Sequence, residues 1–229
     1  MRYRCEVETI TGIVQLIAAN FLRHGFYWYV TGRVPPGKDW AKIDQKLVAK
    51  YGVDVSEWER SQRKKRGLAN AHYLRCGNWF VLLVSEGHHP IKRKCSDGGE
   101  LENLKDCRRI PLKVGGYSIS YRRSGVTPAG RETPTKWHAH VRIDLPTYKQ
   151  LKIHFETIAV HRSVENLAKE FAAIPFARYA PVRRQLLNIL RATNQKRAQA
   201  GYELLPAAVL KLRRVPVKAY KDAGDSKAA

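Results

Sequence analysis

Acidic residues are scarce in this chain of 229 residues: 20 Asp and Glu stand against 42 Lys and Arg, for a formal net charge of +22. The scarcity disfavours a two-metal nuclease, whose ions need several carboxylates. An ordinary small-molecule enzyme does not need such a positive excess, whereas a polyanion offsets the self-repulsion and releases counterions when it binds. The charge balance therefore indicates a nucleic-acid partner, with an anionic membrane surface as the competing interpretation.

Several common catalytic signatures are also missing. The sequence has no Walker-type phosphate loop, no G-x-S-x-G, no H-E-x-x-H and no G-x-G-x-x-G, so we do not expect it to use ATP. Its 4 cysteines include no pair with the C-x2-4-C spacing of a zinc site. We expect free buried thiols; the alternative is that Cys95 and Cys107 join a histidine at a metal.

Long apolar runs and a secretory signal are absent too. The apolar stretch at residues 13–22 contains Gln15 and Asn20, is too short to span a bilayer and lacks a small-residue cleavage site. The sequence thus predicts an intracellular, cytoplasmic protein without a membrane partner.

The composition that remains is one that folds, with 44% hydrophobic and 10% aromatic residues. Alternating or β-branched and aromatic segments predict strands at residues 26–34, 79–84, 117–123 and 137–143. Periodicity and capping residues predict helices at residues 11–23, 39–51, 56–66, 146–174 and 181–200, with loops at 88–109 and 124–136.

These elements predict an α+β fold. We expect a four-stranded, mainly antiparallel, ferredoxin- or RRM-like sheet with helices on one face, plus a basic helical C-terminal part. The predicted domains are an α+β nucleic-acid-binding domain at 1–174, a basic helical extension at 175–220 and a disordered tail at 221–229.

Three of the strands have one apolar face and one polar, aromatic and basic face. Tyr27, Tyr29 and Arg33 share such a face in the first strand, while Arg122 and Arg142 lie on the polar faces of two later ones. If these faces align on one sheet, aromatic rings stack on bases and arginines reach phosphates. The alternative is a half-buried sheet with an ordinary solvated face.

Basic clusters supply further candidate contacts to nucleic acid, although each is also explained by a solvated, charged helix face. These candidates are Arg63, Lys64, Lys65, Arg66, Arg123, Arg183, Arg184, Arg191, Lys196 and Arg197.

The pair His138 and His140 lies two residues apart on a predicted strand, so both side chains point the same way and can bind one divalent metal ion. This motif resembles the His-hydrophobic-His motif of the HUH single-strand DNA endonucleases. The resemblance implies Mg²⁺ or Mn²⁺ at the histidines and a tyrosine nucleophile, for which Tyr179 is the candidate. The sequence departs from the family at Arg142, in the position of Tyr179 before a helix, and in lacking a clear third ligand beyond Glu86 or Asp144.

A third interpretation is a histidine-based RNA-processing endonuclease on a ferredoxin-like scaffold, similar to the CRISPR-associated ones, with His24, His138 or His140 as acid or base. Our main expectation is a nucleic-acid-binding or accessory subunit of a mobile-element or RNA-guided machine. Its partners would be DNA or RNA within a ribonucleoprotein or a transposition complex. Whether the protein is an enzyme stays open at this stage.

Overall fold

A computed structural model describes residues 3–92, 104–123 and 136–220. Its helices are α1 (Ile10–Leu16), α2 (Trp40–Lys50), α3 (Glu57–Lys65), α4 (Leu145–Ile158), α5 (Val164–Ala173) and α6 (Ala180–Gln199). Its strands are β1 (Trp28–Arg33), β2 (Ala71–Cys76), β3 (Trp79–Val84), β4 (Lys105–Asp106), β5 (Leu112–Val114), β6 (Tyr117–Arg123) and β7 (Trp137–Ile143). A π-helical turn (Ile17–Phe21) and a 3-10 turn (Leu22–His24) extend α1.

The chain divides into two compact units. The first comprises residues 1–112, 119–140 and 217–229, and the second comprises residues 113–118 and 141–216. Strands β6 and β7 both run through the division.

The larger sheet belongs to the first unit and has the strand order β2-β3-β1-β4. All three pairings are antiparallel, with Trp28 opposite Val84 in β3 and opposite Asp106 in β4. Residues Gly77 and Asn78 join β2 to β3, and Gly77 has a φ of 55°, which a side chain would disfavour. The second sheet has the order β5-β6-β7, and the turn Gly115–Gly116, with φ of 51° and 76°, makes the β5–β6 connection a tight hairpin.

Helical elements cover both faces of the larger sheet. On one face, buried Tyr73, Leu82 and Val84 pack with Leu47 and Val48 of α2. The opposite face includes Leu74, Val81 and Leu83, which are also buried. There the Phe21 ring, in the π turn after α1, lies 4.7 Å from the His72 ring. This finding corrects the prediction of helices on one face only.

A buried ion pair ties α2 to this sheet. Asp44 accepts hydrogen bonds from Nε of Arg75 at 2.9 and 3.1 Å and from the hydroxyl of Tyr73 at 2.7 Å. Arg75 also donates to the carbonyl of Gly77 and lies 3.5 Å from Glu6. Removing one partner of such a pair leaves an uncompensated buried charge, so this network specifies where α2 sits.

The second unit is mainly helical. Phe155 of α4 and Phe171 of α5 stack with ring centroids 4.0 Å apart. The Gln185 amide of α6 both accepts from the N–H and donates to the carbonyl of Ile143, at 2.8 and 2.9 Å, and so ties the end of β7 to the helix. Pro181 stands in the first turn of α6 and Gly201 follows its end with a φ of 73°.

The α+β class and a four-stranded antiparallel sheet are confirmed, but the strands are not the four predicted. The segment Ala71–Cys76 forms β2, and Lys105–Asp106, inside a predicted loop, forms β4. The predicted strands at residues 117–123 and 137–143 form part of a separate sheet. The predicted loop at 124–136 and the predicted tail lie almost entirely outside the described residues.

Candidate nucleic-acid interface

A run of stacked aromatic rings crosses the first unit. The rings of Tyr27 and Tyr121 lie 4.9 Å apart at an interplanar angle of 25°, and those of Tyr121 and Trp137 lie 5.5 Å apart at 14°. A guanidinium group accompanies each outer ring: Cζ of Arg108 lies 4.6 Å from the Tyr27 centroid, and Cζ of Arg123 lies 5.4 Å from that of Trp137. We call these five residues the aromatic ladder.

Backbone hydrogen bonds bring the ladder together from distant parts of the chain. The N–H of Cys107, just after β4, donates to the carbonyl of Tyr27 at 2.9 Å, and the N–H of Tyr121 in β6 donates to the carbonyl of Cys107 at 3.2 Å. The backbone of a single residue, Cys107, thus connects the segment before β1 with β6. Burial raises the pKa of the Cys107 thiol to about 12, as expected for a structural cysteine.

The two ends of the ladder differ in charge compensation. Arg108 donates through Nε and Nη2 to Asp106 and through Nη1 to Glu86 at 2.7 Å. These carboxylates raise its pKa, neutralise its charge and hold it in place over Tyr27. Arg123 is exposed, and no carboxylate of the described residues lies within ion-pair distance of it. Trp137 beneath it is 42% exposed. Among the described residues, the Arg108 end is therefore ion-paired, whereas Arg123 at the other end has no carboxylate partner and Trp137 is partly exposed.

Burial also differs along the stack. Tyr121 is 8% exposed, and Tyr27 is half-buried. Burial, followed by the neighbouring Tyr121, raises the pKa of Tyr27 to about 12, so the Tyr27 phenol stays neutral across the physiological range. The two phenol rings and the partly exposed indole of Trp137 together give a stacking surface flanked by guanidinium groups.

The predicted strand-face residues are not brought onto one surface. Tyr29 is 3% exposed, and its hydroxyl donates to the carbonyls of Ile110 and Pro111, so it has no free face for a base. Arg33 is exposed at the end of β1, and Arg122 is exposed on β6, where its Nε donates to Ser120. Alignment on one sheet is wrong because β1 and β6 belong to different sheets.

The basic clusters divide into surface and structural cations. Lys64, Lys65 and Arg66 are exposed at the end of α3, whereas Arg63 donates to the carbonyl of Gly52 and to Glu59. In the second unit Arg142 is half-buried, and the exposed cations of α6 are Arg183, Arg184, Arg191 and Lys196.

Arg197 differs from its neighbours on α6. It is 3% exposed, and its guanidinium donates to the carbonyls of Ala159, Arg162 and Glu203. We therefore remove Arg197 from the candidate phosphate contacts, since its donors are already engaged inside the second unit.

The two histidines of the HUH-like motif lie on the face of β7 opposite Trp137, with ring centroids 6.4 Å apart. Two imidazoles on one metal ion, each bound at about 2.1 Å, would have centroids about 5 Å apart, so the rings would have to turn toward each other. Among residues 3–92, 104–123 and 136–220, no three His, Cys, Asp or Glu side chains group as a metal site. The proposed third ligands are engaged elsewhere: Glu86 binds Arg108, and Asp144 caps α4.

Tyr179 belongs to the second unit, whereas the histidine pair belongs to the first. Tyr179 is the residue before α6, with Cζ of Arg214 4.8 Å from its ring. Burial raises the pKa of Tyr179 and outweighs the opposite effect of Arg214. A raised pKa disfavours the phenolate that a tyrosine nucleophile needs. The other histidine considered for catalysis, His24, is exposed and hydrogen-bonded to the carbonyl of Asn20 at 2.6 Å.

Sequence reasoning missed Arg108, Tyr121 and Trp137 as partners of Tyr27. Alternation places Tyr121 and Trp137 on the apolar faces of their strands, but it does not show that Trp137, at the end of its strand, is partly exposed. The available signal was three aromatic residues near the ends of predicted strands, two of which, Tyr121 and Trp137, lie within two positions of an arginine or of Lys136.

Comparison with known proteins found no family model, no curated protein and no solved structure that matches this chain. Within the described part of the chain, no helix combines the length and the apolar character needed to cross a membrane.

Proposed function

We propose that this protein binds nucleic acid and that unpaired bases stack at the Trp137 end of the aromatic ladder. The observation that carries the proposal is the partly exposed Trp137 ring, stacked on Tyr121 from one side and accompanied by Arg123, a cation that pairs with no carboxylate of the described residues. Base–aromatic stacking beside a cation is how single strands are bound without sequence preference. A duplex hides its base faces, so single-stranded DNA or RNA is the preferred ligand class.

The net charge of +22 supports the same ligand. Exposed cations occur in both units, on α3 and β6 in the first and on α6 in the second. Phosphate contacts of this kind supply affinity without sequence information, while the ladder supplies a preference for unpaired bases.

We further propose that the larger sheet has a ferredoxin- or RRM-like arrangement of strands. Its support is the chain order strand, helices, strand, strand, strand, with the last strand beside the first. An RRM presents an open sheet face to RNA, whereas here α1 and its π turn cover that side. The proposed binding surface therefore lies on the ladder instead of the sheet face.

The experiment is a titration of labelled single-stranded DNA, single-stranded RNA and duplex DNA, each of roughly 20 nucleotides, longer than the about 4–16 that one compact module covers. We expect tighter binding to the single strands and a fall in affinity as salt rises from about 50 to 200 mM. Equal affinity for all three ligands would remove the stacking argument. Affinity that does not change with salt would remove the phosphate argument.

A metal-dependent single-strand nickase is the second candidate, favoured by the placement of His138 and His140 on one face of β7. These two residues would hold part of a Mg²⁺ or Mn²⁺ site, and the described residues offer no third ligand beside them. Covalent capture of single-stranded DNA in Mn²⁺, abolished by Tyr179→Phe, would establish this activity. If the protein binds DNA tightly but captures none covalently, the nickase proposal is wrong and the proposal of a binding protein is kept.

A further inference from the structure

Helix α3 exposes a tryptophan that takes no part in the core. Trp58 is 71% exposed, compared with 42% for Trp137 of the ladder. No residue of α3 is buried, so the helix contributes no fully buried side chain to the core.

The helix is nevertheless firmly attached through polar contacts on its inner side. Arg60 donates to the carbonyl of Val53 at 3.2 Å and to Nε2 of His72 at 3.3 Å, and Arg63 donates to the carbonyl of Gly52 at 3.1 Å. Ser56 caps the start of the helix by accepting from the N–H of Glu59. Trp58 therefore stands on a fixed helix whose position does not depend on its own side chain.

One cation lies in line with Trp58 on the outer face, two turns further along α3. Trp58, Ser61 and Lys65 are spaced i, i+3 and i+7, which places them on one stripe of the helix. Lys64 and Arg66 flank that stripe, and both are exposed. Within the described residues no carboxylate lies within ion-pair distance of these three cations, since Glu59 pairs with Arg63.

The helix C-terminus by itself favours cations through its partial negative charge. That effect explains basic residues in the last turn, but it does not explain an exposed indole one to two turns earlier. A stacking ring in line with Lys65, which pairs with no carboxylate of the described residues, on a protein of net charge +22, fits one class of occupant.

We propose that the outer face of α3 is a second nucleic-acid contact, in which Trp58 stacks on an unpaired base and Lys64, Lys65 and Arg66 bind the neighbouring phosphates. This inference rests on the proposed nucleic-acid binding, but it uses no residue of the ladder.

The test measures binding of labelled single-stranded DNA, again roughly 20 nucleotides long, as a function of salt. The variants are Trp58→Ala and the triple variant Lys64→Ala, Lys65→Ala, Arg66→Ala. The matched control is Lys42→Ala, Lys46→Ala, Lys50→Ala on α2, which removes the same charge from an exposed helix stripe. Circular dichroism before titration checks that every variant is folded.

We expect Trp58→Ala to weaken binding roughly 5- to 150-fold, the range for losing one stacked base. The α3 triple variant should make the slope of log affinity against log salt shallower by about 2, since each lost contact to a single strand contributes about 0.7. The α2 control should change the slope by clearly less.

Two failures are distinguishable. If the unaltered protein does not bind nucleic acid, the proposed function itself is wrong. If it binds and Trp137→Ala weakens binding, but both α3 variants behave like the α2 control, then the second contact is wrong and the ladder stands. That second outcome would leave α3 as a surface for some other partner.

Discussion

Replacing Trp137 by alanine should separate stacking from charge at its end of the ladder. The substitution removes the exposed ring and keeps Arg123, while Arg123→Met removes the cation and keeps the ring. The two variants therefore test two different physical contributions at one place.

The magnitudes follow from what each group contacts. Loss of one base–aromatic stack costs about 1–3 kcal/mol, or roughly 5- to 150-fold in affinity, at every salt concentration. Loss of one phosphate contact should make the salt slope shallower by about 0.7 for a single strand. Losing the Tyr121–Trp137 stack should also reduce the free energy of unfolding by about 0.5–1.5 kcal/mol, which leaves the fold intact.

The assay is fluorescence anisotropy of labelled single-stranded DNA at several salt concentrations, with urea unfolding of each variant as a check on folding. Trp137→Phe is the conservative control, because it keeps an aromatic face and should retain most of the affinity. Binding by Trp137→Ala that equals that of the unaltered protein would refute the ladder as the site of base stacking.

Three further predictions concern stability and reactivity. Asp44→Ala should lower the free energy of unfolding by about 3–5 kcal/mol, because Arg75 loses its buried partner. As the control, Glu59→Ala at a surface ion pair should lower the free energy of urea unfolding by less than about 1 kcal/mol. Equal losses in the two variants would contradict the role of burial. Burial lowers the pKa of His72 from 6.5 to about 3, so between these pH values the unfolded chain binds a proton that the folded protein does not. The free energy of unfolding should therefore fall as the pH drops from 6.5 toward 3. The variant His72→Gln should make the urea midpoint less dependent on pH in that range. Burial raises the pKa of Cys107 to about 12, so its thiol should resist iodoacetamide in the folded protein at about pH 8 and react once urea is added. Mass spectrometry of peptides measures this labelling. Rapid labelling of the folded protein would contradict the burial of Cys107.

Local patterns in the sequence predicted most of the elements. Local signals locate three helix starts within a residue or two of those observed: the caps Asp39 and Ser56, and Pro181 in the first turn of α6. They do so because a cap satisfies N–H groups within its own turn. Strand β3 was predicted with its observed bounds, Trp79–Val84, since a continuous β-branched and aromatic run needs no distant information.

Strand β2 shows where that reasoning stops. The segment Ala71–Cys76 mixes His72 and Arg75 with apolar residues, and it has no clean alternation. It becomes a strand because its backbone pairs with β3 and because Asp44 of α2 accepts from Arg75. Both partners are supplied by tertiary structure, which overrides a weak local preference.

The sequence alone determined the basic character of the protein and its lack of common catalytic motifs. It also determined whether most segments are helices or strands. These properties depend on composition or on neighbours within a few residues. Tertiary structure alone decided that β1 and β6 lie in different sheets, that Arg197 is buried on carbonyls, and that Tyr27, Tyr121 and Trp137 stack. These facts depend on pairing between segments far apart in the chain, such as the two backbone hydrogen bonds of Cys107 that connect Tyr27 to Tyr121. Periodicity shows which face a side chain occupies, but not which distant residue will face it.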